Sequence, residues 1–393
     1  MNKIIITRWK GQLLTVLFSG KRAVELGLET DHSILGNIYI GIVKTIVRNL
    51  NSAFVDLGNG QTGYYSLADN PESLHADGSR KAVQCGDEII VQVEKEAVRT
   101  KDPVLTANLN FAGRYAVLTA GKHAIGFSAK ISDRDWKEQM RPLVAQKLGD
   151  QAGVIIRTNA WQKDEELLHE LELLLQTYQT VLENARYRTA FSMIYEAEPE
   201  YIRSIRNCPL GSLDGIVTDV REVYETLTAF SQRFEPDLLE RIELYEDTGI
   251  SLRSLYSLET VLSRAIQKQV WLNSGGYLVI EHTEAMTVID VNTGKYSGKK
   301  NQQDTIRMIN LEAVDEIARQ IRLRNISGII LIDFIDMKGE ADRELLLERL
   351  RLAVRPDPVK TTVVDMTPLN LVEMTRKKEK KPLWEQISHV EKG

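Results

Sequence analysis

An acid lies inside an otherwise apolar strand pattern in the last third of the chain, in the stretch MTVIDVN from Met286 to Asn292. Thr287, Ile289 and Val291 alternate there with Val288, Asp290 and Asn292, a period of two that predicts a β-strand. The alternation places Val288, Asp290 and Asn292 on one face, so the carboxylate and the amide project side by side. A buried, unpaired carboxylate is costly or changes its pKa, so Asp290 needs a partner.

A second acid, Asp333, lies in the next apolar strand. The segment GIILIDFIDM is nearly continuously apolar, which is typical of a strand covered on both faces. A divalent cation shared by Asp290 and Asp333 would explain both acids, because Mg²⁺ takes carboxylate oxygens and fills its other positions with water and phosphate. Asn292 would orient the first carboxylate or donate to a phosphate. Alternatively, each aspartate closes its strand or pairs with an arginine such as Arg319 or Arg322.

The segments around these two strands predict a mixed block of strands and helices. GYLVIEH, at 276–282, should form a hairpin with the Asp290 strand across residues 283–285. Asp304 should cap a helix with an apolar stripe that includes Ile306, Ile309 and Ile317. A further helix is predicted over 258–271.

Composition is that of an ordinary globular chain. The 393 residues suffice for several domains, with 43% apolar and 27% charged residues. A net charge of −5 argues against indiscriminate nucleic-acid binding, so any polyanion site needs local basic patches. Two such clusters are Lys295, Lys299 and Lys300, and Lys377, Lys378, Lys380 and Lys381, although charge alone favours a solvated loop for each.

No membrane span and no signal peptide are predicted from the sequence. No apolar run approaches the roughly 18 residues of a span, and the N-terminal segment has no small-residue cleavage site. The two cysteines, Cys85 and Cys208, are too few for a disulfide framework or a four-cysteine zinc site. We therefore expect a cytoplasmic protein.

The first third of the chain predicts strands. Two short strands, 4–8 and 13–19, precede a helical-looking link, and from Gly36 short alternating runs broken by turn residues predict a small barrel, for which an OB-fold is the natural candidate. Aromatic residues near basic ones are what such a barrel uses to stack bases. The alternative for the first aromatic is a place in the barrel core. These residues are Phe54, Tyr64, Tyr65, Lys44, Arg48, Lys95 and Lys101.

Between the barrel and the acidic strands, GVIIRTNA at 153–160 predicts a strand that ends in Arg157 and Thr158, a guanidinium beside a hydroxyl. Leucines at steps of three and four predict an amphipathic helix over 163–190.

Several of these segments together resemble the ribonuclease E/G family. HTEAMTVIDVNTG, NLEAVDEIARQIRLRNISGIILIDFIDM and LVEMTRKK resemble its catalytic core, and GNIYIGIVKTIVRNLNSAFVDLG resembles the start of its OB-type RNA-binding domain. VQVEKEAVRTKDPVLTANLNFAGRYAVL is similar to the end of that domain, and GVIIRT to the family's 5′-end sensor.

The resemblance implies an α+β multidomain fold and an enzyme. The expected parts are an RNase H-like subdomain (1–35 and 215–275), an OB-fold of S1 type (36–118), a 5′-sensor region (119–214) and a DNase I-like catalytic subdomain (276–393). The implied activity is Mg²⁺-dependent endonucleolytic cleavage of single-stranded RNA to 5′-phosphate and 3′-hydroxyl ends, in rRNA processing or mRNA decay, with Mn²⁺ as a substitute metal.

The resemblance also implies roles for individual residues. Asp290 and Asp333 match the metal-binding aspartates, and Asn292 matches the asparagine that supports them. The implied RNA contacts are Phe54, Tyr64, Lys95 and Lys101. The implied contacts to a 5′-monophosphate are Gly113, Val117, Arg157, Thr158 and Lys360.

The sequence departs from the family pattern after EMTRK, where many members carry a CPxC motif that shares zinc between protomers. We therefore expect a compact, ribonuclease G-like protein without zinc, as a monomer or weak dimer. An RNA-binding protein of the same fold with weak or lost nuclease activity is the alternative function, and a DNA nuclease with the same metal chemistry is a third.

Overall fold

The computed structural model describes residues 2–29, 33–96, 102–121, 123–208, 210–294 and 302–390. The chain divides into two compact units, one formed by Met1–Asp31 with Leu210–Gly393 and the other by His32–Pro209. The predicted α+β multidomain class is confirmed, whereas the four-part division stays a prediction. None of the helices in the described ranges is long and apolar enough to cross a membrane.

The first unit contains a five-stranded mixed sheet. Its three N-terminal strands pair antiparallel, and the two strands added at its other side run parallel to the first strand. The helical link expected after residue 19 is wrong, because Arg22–Glu29 pairs with the preceding strand and this pairing overrides the helix propensity of its Ala, Leu and Glu residues. In sheet order the strands are Ile242–Leu244, Leu213–Thr218, Asn2–Trp9, Gln12–Ser19 and Arg22–Glu29.

A six-stranded sheet in the same unit carries the two aspartates. Helices Gln302–Leu323 and Glu340–Val354 pack on one face, where apolar residues of the strands and helices form a common core. The expectation of an apolar strand covered on both faces is wrong, because Ile329 on the opposite face is 47% exposed. In order the strands are Gln269–Trp271, Tyr277–His282, Met286–Asn292, Gly328–Asp333, Leu371–Arg376 and Thr361–Met366.

Two helix boundaries in this unit differ from the predictions. The helix expected over 258–271 ends at Ala265, and Gln269–Trp271 is an edge strand instead. The long helix begins at Gln302, so Asp304 lies in its first turn rather than at its cap. The remaining helices of the unit are Arg221–Phe234, Leu252–Leu255 and Leu383–Val390, with 3₁₀ turns at Leu210–Ser212 and Pro236–Arg241.

The second unit contains a closed five-stranded barrel, as predicted. The barrel closes because Ile38–Val47 pairs with the strand beside it and with Glu88–Lys95 at the other end of the sheet. Alternating inward residues such as Val55, Tyr65 and Val91 fill the interior. The barrel strands are Ile38–Val47, Ser52–Gly58, Gln61–Ser66, Val104–Thr106 and Glu88–Lys95, with Met193–Tyr195 added outside.

The rest of the second unit is a four-stranded sheet with helices. The predicted strand of GVIIRTNA covers Gly153–Ile156 and then becomes a 3₁₀ turn at Thr158–Ala160, and the predicted long helix runs over Asp164–Arg186. The sheet order is Asn110–Ala112, Ala116–Thr119, Gly153–Ile156 and Ile125–Phe127. The smaller elements are helices Arg134–Leu148 and Glu200–Asn207, the strand pair Ser73–Leu74 and Arg80–Lys81, and the 3₁₀ turn Arg48–Leu50.

Candidate functional site

Asp290 and Asp333 are direct neighbours in the six-stranded sheet. Their strands pair in parallel, and the two residues are register partners at the carboxyl ends of both strands. The side-chain amide of Asn292 donates a hydrogen bond to Asp290 Oδ2 at 2.8 Å. The two strands therefore bring all three predicted catalytic residues together on the sheet face opposite the helices.

The electrostatic environment of the pair is acidic. Partial burial, the neighbouring Asp290 and then Asp336 raise the pKa of the Asp333 carboxyl. Asp290 is half buried and Asp333 is exposed, so repulsion between like charges adds to the modest cost of burial. The alternative of a nearby arginine partner is wrong, because Arg319 pairs with Glu316 and Arg322 with Glu25.

Two residues that sequence reasoning missed shape the loop after Asp333. Asp336 is a third acid in the same motif, and its Oδ1 accepts a hydrogen bond from Asn370 Nδ2 at 3.1 Å. Asn310 is fully buried in helix Gln302–Leu323. Its side-chain amide accepts the Ile335 N–H at 3.2 Å and donates to the Ile335 carbonyl at 2.8 Å. The second aspartate of the IDFIDM motif could have indicated Asp336, whereas nothing local in the sequence indicated Asn310.

The donor set fits a hard divalent cation. Two carboxylates on adjacent strands provide oxygen ligands and a local negative charge that a cation would neutralise. Across the described ranges there is no cluster of three or more His, Cys, Asp or Glu residues that could hold a metal. An ion at this place would therefore complete its coordination with water and substrate oxygens, as Mg²⁺ does.

A row of residues across the barrel includes three of the four predicted RNA contacts. Register pairs join Phe54 to Tyr64, Tyr64 to Val104, and Val104 to Lys95. The Phe54 and Tyr64 rings meet edge to face with centroids 6.2 Å apart. Both rings are half buried, and Lys95 is exposed. The barrel thus presents two aromatic rings and one cation in a single lateral row.

Two details of the barrel differ from the sequence interpretation. Phe54 lies outside the barrel core, because its neighbours Ala53 and Val55 point inward, so the core alternative is wrong. Tyr65 is instead fully buried, its hydroxyl contacts Ser73, and burial raises its pKa to about 12. Lys44 is paired with Asp56 at 2.7 Å. Lys101 and the cluster Lys295, Lys299 and Lys300 lie outside the described residues.

Arg157 is held in a fixed position in the second unit. Its Nη1 donates to the Gly113 carbonyl at 2.7 Å, and its Nη2 donates to Asn207 Oδ1 at 2.5 Å. Thr158 follows in the chain and exchanges a hydrogen bond of 2.9 Å with the Ser128 hydroxyl. Each of these two consecutive side chains is therefore held by a hydrogen bond, and Asn207 and Ser128 are partners that the sequence did not reveal.

A buried carboxylate organises the backbone beneath Arg157. Glu170 accepts the N–H groups of Arg114, Tyr115 and Ala116 at 2.7–2.9 Å, and burial raises its pKa. A Cβ atom on Gly113 would lie 2.3 Å from this carboxyl group, so only glycine fits there. Burial, opposed by the charge of Glu170, lowers the pKa of Arg157.

The remaining predicted residues are Val117, Lys360 and the two cysteines. Val117 is half buried in strand Ala116–Thr119, where it pairs with Ile155. Lys360 is exposed and belongs to the first unit, directly before strand Thr361–Met366. Cys85 is exposed and Cys208 is buried, and neither is part of a disulfide. The expected lack of zinc stays a prediction.

Comparison with known proteins gives a consistent result. The model of the Ribonuclease E/G family matches residues 110–379. Ribonuclease G from Salmonella typhimurium and from Escherichia coli K12 are each 35% identical over 380 residues, which cover 93% of this chain and 76% of those proteins. Ribonuclease E from a Nostoc species is 32% identical over 394 residues, which cover 98% of this chain but 57% of that protein.

Proposed function

Since the chain belongs to the ribonuclease E/G family and is an endoribonuclease of RNA processing or decay, we propose that it cleaves single-stranded RNA with Mg²⁺. Asp290 and Asp333 would bind this ion. The products are a 5′-phosphate and a 3′-hydroxyl. The observation that carries this proposal is the pairing of the two aspartates as direct neighbours, with Asn292 bonded to the first.

The roles of the three residues follow from their contacts. Asp290 and Asp333 would hold the ion, and the Asn292 amide fixes the Asp290 carboxylate by occupying its Oδ2 atom. A bound Mg²⁺ ion would supply Lewis acidity and stabilise the charge that develops on the scissile phosphate. In the reaction, water adds to phosphorus, the bond from phosphorus to O3′ breaks, and a proton passes to O3′. The 2′-hydroxyl is not consumed.

A cleavage assay tests this function directly. Labelled RNA and DNA oligonucleotides of one sequence are incubated with the protein in Mg²⁺, Mn²⁺ or EDTA, and the product ends are identified. We expect cleavage of RNA alone, with either metal but not with EDTA. RNA binding without cleavage by the wild-type protein in Mg²⁺ would support the alternative of a binding protein, and equal cutting of DNA would support a DNA nuclease.

The barrel is proposed to bind the RNA strand. The row of Phe54, Tyr64 and Lys95 supports this role, because single-strand binding combines aromatic platforms for bases with cations for phosphates. Lys101 is proposed as a further cation on the basis of the sequence resemblance alone.

A 5′-monophosphate is proposed to stimulate cleavage by binding near Arg157 and Thr158. The guanidinium is oriented by Gly113 and Asn207, and such a charge-assisted donor suits a dianionic terminal phosphate. Val117, on the neighbouring strand, and Lys360, an exposed cation, are proposed as further contacts on the basis of the sequence resemblance alone. Wild-type protein should therefore cut a 5′-monophosphorylated RNA faster than the same RNA with a 5′-hydroxyl.

The finer fold assignments remain part of this proposal. Three antiparallel strands followed by two parallel ones support an RNase H-like subdomain in the first unit. The six-stranded sheet with helices on one face supports a DNase I-like catalytic subdomain. A monomer or weak dimer without zinc, located in the cytoplasm, is proposed from the sequence alone.

A further inference from the structure

A groove of about 760 Å³ lies beside Asn292 on the sheet that carries the two aspartates. Its lining includes Gln269, Trp271, Tyr277, Asn292 and Thr293, together with glycines of the adjoining turns. Register pairs join Trp271 to Tyr277 and Tyr277 to Asn292, so an aromatic row leads across the sheet to the catalytic residue. From the spacing of strands, the Trp271 backbone is roughly 10 Å from that of Asn292.

The aromatic pair leaves ring surface open to a ligand. Trp271 is 65% exposed, and Tyr277 is half buried. The two ring centroids are 5.3 Å apart with an interplanar angle of 57°, so neither ring covers the face of the other. A planar, aromatic ligand can therefore stack on either ring without first separating the pair.

Glycines shape the wall of the groove. Gly294 has a φ of +60°, and a Cβ atom there would lie 2.2 Å from the Gly275 carbonyl oxygen. The turn that contains Gly275 is anchored to the long helix, because Glu312 accepts the N–H groups of Asn273 and Ser274 at 2.7 and 3.1 Å. The backbone beside Asn292 is thus closely packed and positioned before any ligand binds.

We propose that this groove is a stacking subsite for a nucleobase next to the scissile phosphate, an inference that rests on the proposed function. None of the described lining residues is charged, so the groove suits a neutral base rather than a phosphate. The adjacent Asp290–Asp333 pair suits the phosphate and its cation. Gln269, Asn292 and Thr293 offer donors and acceptors to the edge of the base. Stacking on Trp271 tolerates every base, so any base preference of this subsite comes from the polar residues at the base edge.

The experiment combines a protein change with a matched substrate change. The substrates are a 5′-hydroxyl RNA with one cleavage site and derivatives that are abasic at a single flanking nucleotide. For wild type, one abasic position should lower kcat/KM by roughly 5- to 150-fold, the range for loss of one base–aromatic stack. Trp271→Ala should lower kcat/KM by a similar factor on the intact RNA. On that abasic RNA, it should cut as fast as the wild-type protein does. Trp271→Phe, which keeps an aromatic face, should restore most of the rate.

The control variant is Tyr187→Ala, which removes an aromatic ring that is 88% exposed in the other unit and belongs to no proposed site. It should cut both substrates as wild type does. Asp290→Asn tests the catalytic proposal separately, since loss of cutting in that variant is independent of the base. If wild type and Asp290→Asn behave as expected but Trp271→Ala cuts like wild type, the subsite is wrong and the function stands.

Two further results would overturn the subsite. Equal losses for Trp271→Ala on intact and abasic RNA would mean that the ring acts without a base. If that equal loss accompanies a change of sedimentation coefficient, Trp271 belongs to an interface between protein chains, where exposed tryptophans also occur. Binding is measured in the catalytically inactive Asp290→Asn variant. There, Trp271→Ala should weaken the binding of intact RNA by a larger factor than the binding of abasic RNA.

Discussion

Replacing Asp333 by asparagine should stabilise the protein while it destroys the activity. The two aspartates are register partners on adjacent strands, so their carboxyl groups are roughly 5 Å apart. Two like charges at that distance repel by about 1 kcal/mol in water and about 3 kcal/mol at an effective dielectric of 20. Asp333 is exposed, so the lower value applies, and asparagine keeps the shape while removing the charge.

The assay is thermal unfolding, followed with and without Mg²⁺. In EDTA, Asp333→Asn should raise the Tm by about 2–4 °C, the scale for 1 kcal/mol in a unit of this size. In wild type, Mg²⁺ should add about 1.4 kcal/mol at ten times its Kd, because an ion that binds only the folded state stabilises it. The variant should lose most of this Mg²⁺-dependent increment. Its cleavage rate should fall by orders of magnitude, with RNA affinity nearly unchanged.

Two other aspartates calibrate the measurement. Asp336→Asn should raise the Tm in EDTA by less than Asp333→Asn, since Asp336 contributes less than Asp290 to the raised pKa of Asp333. Asp365→Asn, an exposed aspartate of the same sheet, should leave the Mg²⁺ increment intact. An unchanged Tm in EDTA together with a full Mg²⁺ increment in Asp333→Asn would refute the shared cation site.

Three further predictions address the other surfaces. Phe54→Ala should weaken RNA binding by roughly 1–3 kcal/mol, whereas Lys95→Ala should reduce the salt slope by about 0.7; equilibrium binding at several salt concentrations measures both. Arg157→Gln should erase the advantage of a 5′-monophosphate, a loss of about 1.5–3 kcal/mol in kcat/KM, and leave the rate on 5′-hydroxyl RNA unchanged. Burial and then Arg324 lower the pKa of His282 to about 4. The unfolded state therefore binds the extra proton between pH 6.5 and 4. The contribution of His282 to stability should be complete above pH 6.5 and fall by at most about 3 kcal/mol toward pH 4. Denaturant unfolding measures this decline, which His282→Gln should lack.

The acidic strand could be predicted from sequence because its signal is local. A period of two and a connection of hairpin length before it gave Met286–Asn292 with the bounds that the structure has. A second apolar strand with its own acid made a shared cation a reasonable hypothesis, and the structure pairs the two strands in parallel. The exposure of Asp333 could not be predicted in this way, because an apolar run does not say whether one or both faces of its sheet carry helices.

The aromatic groove was hidden by one error in secondary structure. A helix over 258–271 places Trp271 at a helix end, where it has no relation to the hairpin that follows. The chain instead leaves the helix at Ala265 and forms the edge strand Gln269–Trp271. Only that strand brings Trp271 opposite Tyr277 and thus toward Asn292. A short edge strand has too few residues for its period to be distinguished from that of a helix.

Partners that are distant in the sequence were also missed, although the residues they serve were found. Arg157 was predicted, but its acceptor Asn207 lies 50 positions later and on a separate helix. Ser128, the partner of Thr158, precedes it by 30 positions. Such contacts depend on how elements pack, and neither composition nor periodicity contains that information.

Asn310 shows how such a distant contact can support the loop that follows Asp333. Its amide bonds both the N–H and the carbonyl of Ile335, which ties this point of the loop after Asp333 to helix Gln302–Leu323. Asn310→Leu keeps the volume but leaves both backbone groups without this partner, so unfolding should become easier by about 1–3 kcal/mol. Because the loop also carries Asp336, the variant should need more Mg²⁺ for half-maximal cleavage.

The matched control is Ile317→Val, a fully buried residue of the same helix that packs only in the apolar core. It should cost about 0.5–1.5 kcal/mol of stability and leave the Mg²⁺ requirement unchanged. A purely structural Asn310 would behave in the same way, losing stability with no change in Mg²⁺ dependence. A rise in the Mg²⁺ requirement for Asn310→Leu alone therefore identifies Asn310 as a positioning residue, since loss of stability by itself does not alter the affinity of a correctly folded site.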